Sequence, residues 1–338
     1  MVTLKQNYNL STLNTFGISV QAQFFVEITD EKDLQQLFDL PEFKDNKKIF
    51  LGGGSNILFT KDFDGIVILN KLKGIEIITE DSEGAIVRAM SGEVWHDVVN
   101  FTVGHGYWGI ENLALIPGTV GGAPMQNIGA YGVELKNTVV NVEAYDTETG
   151  KKRIFTGSEC EFGYRDSIFK NKVKGKYFIS AITLRLSKIE KKNTEYKILK
   201  NYLDENNIEV KNSKDIADAV ATIRRSKLPD PKVIGNAGSF FKNVFVDEEK
   251  FKKFKEQYPD VPSFVEDGVV KIPAGWLVEQ CGFKGKRFGK VGVHDKQALV
   301  IVNHGGATGA EVLDLANQII VSVKEKFGLE LVPEVNIV

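Results

Sequence analysis

Two stretches of this chain are richer in glycine than turns ordinarily require: Leu51-Gly52-Gly53-Gly54-Ser55-Asn56, and the seventeen residues from Ile116 to Gly132, which hold five glycines and two prolines. Glycine lets a backbone take up positive φ and approach a ligand closely, so that amide N–H groups converge on phosphate oxygens. Both stretches have the chemistry of a pyrophosphate cradle. In the first it falls to Gly52, Gly53, Gly54, Ser55 and Asn56. In the second it falls to Pro117, Gly118, Thr119, Gly121, Gly122, Ala123, Gln126, Asn127, Gly129, Ala130, Tyr131 and Gly132. Neither opens a helix with Gly-x-Gly-x-x-Gly or ends in Gly-Lys-Ser/Thr, so the Rossmann and P-loop solutions are disfavoured. For the first stretch alone, an ordinary turn-rich loop explains the residues equally well; the second is denser than a connector needs.

Other reactive side chains are sparse. His96, His105, His294 and His304 form no ligand-spaced cluster, and Cys160 and Cys281 fit neither a disulfide framework nor a zinc site, so no metal is expected. A net charge of -2 gives no positive field for a phosphate backbone, which argues against a nucleic-acid partner. The N-terminus lacks a basic segment followed by an apolar run, and no stretch approaches the roughly 20 apolar residues of a membrane helix. The reading is a cytoplasmic enzyme without a membrane partner, and its small charge bias permits a monomer.

With 338 residues, 42% of them hydrophobic, the chain can build two or three cores. Strands are expected at 24–28, 48–51, 66–69, 75–78, 85–89, 139–145 and 177–186, with helices at 30–40 and 93–103. After the glycine triplet the pattern stays extended instead of opening a helix. Residues 188–212, rich in Lys, Asn and Glu, read as an exposed excursion near a domain edge. A helix at 213–226 leads into a second module with strands at 269–272 and 298–303 and a long C-terminal helix. Thr308 and Glu311 form a capping box at that helix's start, and Gly328 ends it. The apolar tail, 329–338, is expected to return to a sheet as a strand.

Several specific segments occur in one order: Asn14-Thr15-Phe16-Gly17-Ile18, the two glycine stretches, Gly163-Tyr164-Arg165-Asp166-Ser167, Leu228-Pro229-Asp230-Pro231, Gly235 to Asn243, Pro273-Ala274-Gly275-Trp276-Leu277 and Pro333-Glu334-Val335. In these the chain resembles the UDP-N-acetylenolpyruvoylglucosamine reductase family. The resemblance implies an α+β architecture. An FAD-binding fold of the vanillyl-alcohol-oxidase (PCMH) type would cover about 13–189, with subdomains near 1–67 and 68–220. An α/β substrate-binding domain would follow over 221–328, and a return strand over 329–338 would carry Glu334.

It also implies the reaction, in which NADPH reduces non-covalently bound FAD and hydride passes to the enolpyruvyl ether of a UDP-sugar, giving UDP-N-acetylmuramate for peptidoglycan. Such a reaction builds an enolate-like dianion that must be stabilised and then protonated. By resemblance Arg165 holds the carboxylate, Glu334 assists in a proton-bearing form, and Ser239 donates the proton. Tyr196, Lys227 and Asn243 match positions that bind the UDP portion, with Tyr196 on a closing loop, and Arg224 reaches the cofactor phosphates. Two departures stand out: Val244 occupies a position where many members have proline, and only four residues follow Glu334, which leaves little to anchor it. Within the same fold, an oxidase using molecular oxygen and a non-catalytic binding protein are the alternatives; the set Arg165, Ser239 and Glu334 argues against both.

Overall fold

The computed structural model describes residues 2–266 and 268–338, which divide into two compact units. The first comprises residues 2–8, Gln21–Gly53 and Phe63–Ser226; the second comprises Asn9–Val20, Gly54–Asp62 and, among the described residues, those from Lys227 to Val338.

In the first unit, strands Gln21–Ile28, Phe63–Asn70 and Lys48–Leu51 pair in parallel, with Lys5–Asn9 on the outer side of Gln21–Ile28. Parallel neighbours need crossover connections, and helices Asp33–Asp39 and Pro41–Asp45 supply one. Leu34, Leu37, Phe38 and Phe43 from those helices pack with Val26, Ile28, Ile66 and Ile68 into one apolar cluster. Each such side chain contributes about 1.5–3 kcal/mol by leaving water.

The same unit contains a second, antiparallel sheet, in the order Lys152–Thr156, Val139–Asp146, Tyr177–Ser187, Gly84–Met90, Ile75–Glu80. Gly84–Met90 alternates strictly between buried and half-buried positions, as a strand with one covered face must. Ala85, Val87 and Ala89 face a core that includes Val98 and Val99 of helix Trp95–Gly104 and Ile216, Val220 and Ile223 of helix Ser213–Lys227. The polar excursion is half ordered by helix Lys197–Glu205, whose Leu199 and Leu203 reach this core while its other residues stay exposed or half-buried. Cys160 is fully buried there, and burial pushes its thiol up to about 12.

The second unit is built on an antiparallel sheet in the order Gly235–Ser239, Val300–Asn303, Val291–Val293, Arg287–Phe288. A three-stranded sheet (Val244–Val246, Val269–Ile272, Phe264–Glu266) and helix Gly309–Phe327 complete it. Thr308 and Glu311 cap that helix reciprocally, the Thr308 amide donating to Glu311 Oε2 at 2.7 Å, and Gly328 ends it at φ 65°. The C-terminal tail pairs as a strand only at Asn336–Ile337, in parallel with Ile57–Leu58. Val244, in place of the proline, opens a regular strand opposite Ile272.

Candidate active site

The first unit holds the second glycine stretch against a fixed rail. The Val120 amide donates to the Glu93 carbonyl (2.9 Å) and the Gly121 amide to that of Ser91 (2.8 Å), while the Trp95 amide donates to the Gly118 carbonyl (3.1 Å). The two glycine stretches also touch each other. A Cβ at Gly53 would lie 2.9 Å from the Gly118 Cα, and one at Gly52 would collide with Thr119 Oγ1. At Gly53 glycine is required because two backbones abut. Thr119 Oγ1 is buried with no hydrogen-bond partner among the described residues. A buried, unpartnered hydroxyl beside glycine backbone fits a phosphate-bearing cofactor such as FAD.

Strain marks the same neighbourhood. Leu115 (φ 57°), Asn127 (φ 43°), Tyr131 (φ 47°) and Arg165 (φ 51°) are all non-glycine residues in the left-handed region. Such residues persist only where their surroundings over-determine them, and they concentrate at functional sites. Asn127, fully buried, supplies much of that constraint. Its amide donates to the Gly163 carbonyl (3.0 Å) and to Glu134 Oε2 (3.1 Å), and its Oδ1 accepts from the Lys136 amide (3.0 Å). Gly163 and Asp166 exchange backbone bonds of 3.0 and 3.3 Å, leaving Tyr164 and Arg165 at the tip of a tight turn. Arg165 Nη2 donates to the Gly129 carbonyl at 2.7 Å, and a Cβ at Gly129 would come within 2.9 Å of Arg165 Nη1.

Arg224 completes this group. Its Nε donates to the Leu115 carbonyl at 3.2 Å, and no carboxylate pairs with it among the described residues. Burial lowers its pKa; Tyr131 opposes that shift and the positive charge of Arg165 adds to it. The guanidinium groups of Arg224 and Arg165 lie close enough to repel, and such a pair favours an anion beside it. The Tyr131 hydroxyl is shifted upward by burial, an effect Arg224 opposes and Tyr196 reinforces. The rings of Tyr131 and Tyr196 meet edge to face at 5.5 Å, with Tyr196 exposed.

The second unit carries its own group of expected residues. Strand Gly235–Ser239 is irregular between Asn236 and Ser239, where Gly238 takes φ 70° and donates its amide to Asn236 Oδ1 (3.0 Å). The kink presents Ser239, half-buried, immediately before the fully buried Phe240 and Phe241. The Ser239 hydroxyl makes no hydrogen bond among the described residues, whereas an ordinary loop serine bonds to backbone. The Phe240 carbonyl accepts from the Glu334 amide at 2.7 Å, and the Lys242 amide donates to the Val332 carbonyl at 2.9 Å. The residues after Glu334 are tied on the other side: the Asn336 amide donates to the Asn56 carbonyl (3.1 Å), and the Val338 amide to that of Leu58 (2.9 Å). The short tail is therefore firmly anchored, contrary to what its length suggested, because it is sandwiched between two partner segments.

Of the expected site residues, Gly52, Gly53, Pro117 to Gly132, Arg165, Tyr196 and Arg224 fall in the first unit. Gly54, Ser55, Asn56, Lys227, Ser239, Asn243 and Glu334 fall in the second. Gly54 is glycine for a steric reason, since a Cβ would collide with the Leu13 carbonyl. Asn56 reaches the Glu334 carbonyl through its side chain (3.4 Å), and Asn243 Oδ1 accepts the Ala274 amide at 3.1 Å. Lys227 ends helix Ser213–Lys227 and is exposed. Among the described residues no three or more acidic, His or Cys side chains cluster as a metal site.

Residue-type reasoning passed over several supporting groups. Asn14, buried, bonds the Leu10 and Ile18 carbonyls and the Ile18 amide, shaping the loop on which Gly54 and Gly235 rest. Asn112, with no exposed surface, donates to the carbonyls of Tyr131 (3.0 Å) and Asn193 (2.8 Å), joining the glycine stretch to the root of the Tyr196 loop. Its neighbour Glu111 is equally buried, and burial raises its pKa. The only sequence signal for this pair is a Glu-Asn dipeptide inside an otherwise apolar run.

Comparison with known proteins gives the chain's relatives. Residues 230–338 match the UDP-N-acetylenolpyruvoylglucosamine reductase C-terminal domain, and residues 22–155 match an FAD binding domain. UDP-N-acetylenolpyruvoylglucosamine reductase of Flavobacterium johnsoniae is 47% identical over 337 residues, covering 99% of each chain. The protein of that name from Chromobacterium violaceum is 45% identical over 332 residues, covering 98% of this chain and 97% of its own. The crystal structure of the reductase from Thermus caldophilus shares the fold, with a TM-score of 0.66 at 22% identity over 100% of this chain and 98% of that one. Near-full-length identity of this order means that the chain belongs to the UDP-N-acetylenolpyruvoylglucosamine reductase family.

Proposed function

We propose that this protein uses FAD and NADPH to reduce the enolpyruvyl ether of UDP-N-acetylglucosamine to UDP-N-acetylmuramate, a step of peptidoglycan precursor synthesis. Bound FAD would supply hydride chemistry, and the remaining tasks fall to the protein. Arg165 orients the substrate carboxylate through paired, charge-assisted hydrogen bonds and balances the charge that builds on it. Glu334, sharing a proton, stabilises the enolate-like dianion. Ser239 gives its hydroxyl proton to the carbon bearing the carboxylate, and solvent returns a proton to the serine oxygen. Serine is a weak acid, so this role suits only a strongly basic centre such as an enolate carbon.

The single observation that carries the reading is the 2.7 Å bond from the Glu334 amide to the Phe240 carbonyl, which anchors the carboxyl-bearing residue beside the backbone of Ser239. Tyr196, Lys227 and Asn243 take the UDP portion, and Arg224 with the two glycine stretches takes the cofactor's pyrophosphate. The assignment of 13–189 to cofactor, 221–328 to substrate and 329–338 to Glu334 belongs to the same proposal, as do a cytoplasmic location and a monomeric state. Among the described residues no helix is long and apolar enough to cross a membrane.

The test is product analysis by mass spectrometry after incubation with NADPH and the enolpyruvyl UDP-sugar under argon. The reading requires a product heavier by two hydrogens, formed in step with NADPH oxidation. Hydrogen peroxide formed in air without that product would identify an oxidase, and no NADPH oxidation at all a binding protein.

A further inference from the structure

We infer that His96 is a positioning residue for the cofactor: as a neutral imidazole it locks Leu115 in the left-handed conformation from which the Leu115 carbonyl seats Arg224. The inference rests on the reading that Arg224 serves the cofactor's phosphates. The Leu115 amide donates to His96 Nδ1 at 3.1 Å, and the Leu115 carbonyl accepts from Arg224 Nε at 3.2 Å. A backbone amide only donates, so Nδ1 carries no proton and the ring's proton sits on Nε2. Both polar atoms of one strained residue are thereby fastened, one to helix Trp95–Gly104 and the other to helix Ser213–Lys227.

Leu115 has neither glycine's freedom nor asparagine's local hydrogen bonding, so its φ of 57° must be imposed from outside. His96 is the side chain that bonds its amide. The preceding helix residue does a parallel task, since Trp95 Nε1 donates to the Leu113 carbonyl at 3.0 Å. Two residues after Leu115 the chain reaches Pro117 and then Gly118, which abuts Gly53. A change at Leu115 therefore shifts both the seat of Arg224 and the entry to the glycine stretch. The charged groups around His96 are Arg225, Arg224, Asp97 and Asp218. Burial first, and Arg225 next, hold its pKa below the usual imidazole value, so the neutral form the bond needs is the resting form.

Two substitutions separate an acceptor from mere bulk. Asn places its Oδ1 at the branch position of Nδ1 and can accept the same amide, whereas Leu fills similar space and cannot. FAD is titrated into the deflavinated full-length protein and the dissociation constant read from quenching of flavin fluorescence. His96→Leu is expected to weaken FAD binding about tenfold or more, equivalent to about 1.4 kcal/mol, and His96→Asn to stay within about threefold of the wild type. FAD bound by the Leu variant as tightly as by the wild type, or by the Asn variant as weakly as by the Leu variant, overturns the inference. Arg224→Met separates it from the reading beneath: unchanged FAD affinity there refutes the role of Arg224, whereas weak binding there with normal binding by His96→Leu refutes His96 alone. The wild type gives a reading that needs no variant, since 15N NMR must find His96 Nδ1 unprotonated at pH 7, and a proton on that nitrogen contradicts the proposal.

Discussion

Replacing Gly53 by Ala tests the claim that the two glycine stretches form one cradle. The added methyl would sit 2.9 Å from the Gly118 Cα and 3.4 Å from the Gly118 carbonyl carbon. Carbon atoms rest at about 3.5–4.0 Å, so the two backbones must part by roughly 0.6–1.1 Å. Neither backbone can rotate away as a flexible side chain could. Overpacking of this kind costs about 1–3 kcal/mol, offset in part by the roughly 0.4–1 kcal/mol that alanine returns by restricting the unfolded chain. At the middle of both ranges the net loss is about 1.3 kcal/mol, or roughly 3–5 °C in Tm at 2–4 °C per kcal/mol for a unit of this size. Gly122→Ala is the internal control. It lies in the same stretch, is not in the left-handed region, and a methyl added there would meet nothing within 4 Å. The apoprotein Tm should fall for Gly53→Ala and hold or rise slightly for Gly122→Ala. FAD affinity of Gly53→Ala should fall about tenfold or more, since a shift near 1 Å breaks hydrogen bonds aimed at a phosphate. Equal melting temperatures for the two variants, with FAD bound to Gly53→Ala as tightly as to the wild type, would refute the reasoning.

Three further outcomes are expected. Ser239→Ala should leave anaerobic flavin reduction by NADPH within about twofold of the wild type but slow reoxidation by the enolpyruvyl substrate by on the order of 100-fold or more; equal slowing of both half-reactions in stopped-flow traces would remove Ser239 from the protonation step. Tyr196→Ala should raise KM for the UDP-sugar several-fold with a smaller effect on kcat, because on the proposed role the exposed ring, held edge to face against Tyr131, supports binding and not the chemistry; a fall in kcat at unchanged KM would contradict that. Glu143 accepts from Arg88 Nη2 at 2.8 Å and pairs with Lys152 at 2.6 Å, and the Arg88 guanidinium, ahead of Lys152, holds its carboxyl at about 2. Because that value lies below the ordinary 4.5, the stabilisation is present at neutral pH and fades as pH falls from about 4.5 toward 2. After solvent screening, Glu143→Gln should cost roughly 1–2 kcal/mol in urea unfolding at pH 7 and markedly less at pH 3; a difference independent of pH would mean the ion pairs contribute nothing.

Local chemistry made much of the scaffold legible. The Thr308/Glu311 capping box, the Gly328 stop of the same helix and the strand expected at 85–89 each depend on neighbours within a few positions. Glycine density at Gly52, Gly53 and Gly118 signalled close backbone approach, although not that the two stretches would approach each other. What stayed hidden was set by partners distant in the chain. Asn127 bonds the carbonyl of Gly163, 36 positions on, and Asn112 that of Asn193, 81 positions on, and nothing in either side chain's type names its partner. The left-handed conformations of Leu115 and Arg165 are invisible for the same reason, since neither residue prefers them. The tail of the chain is the sharpest case. Four residues looked too few to hold Glu334, yet Asn56, 278 positions earlier, reaches the Glu334 carbonyl, and Phe240 takes its amide.

The most direct test of the central claim is an anaerobic double-mixing experiment on the yellow holoprotein. NADPH should bleach the flavin absorbance, and the enolpyruvyl UDP-sugar, added next in the absence of oxygen, should restore it promptly with UDP-N-acetylmuramate formed in equal amount. Flavin that recovers only when oxygen is admitted, or recovers with the UDP-sugar left unreduced, would contradict the account.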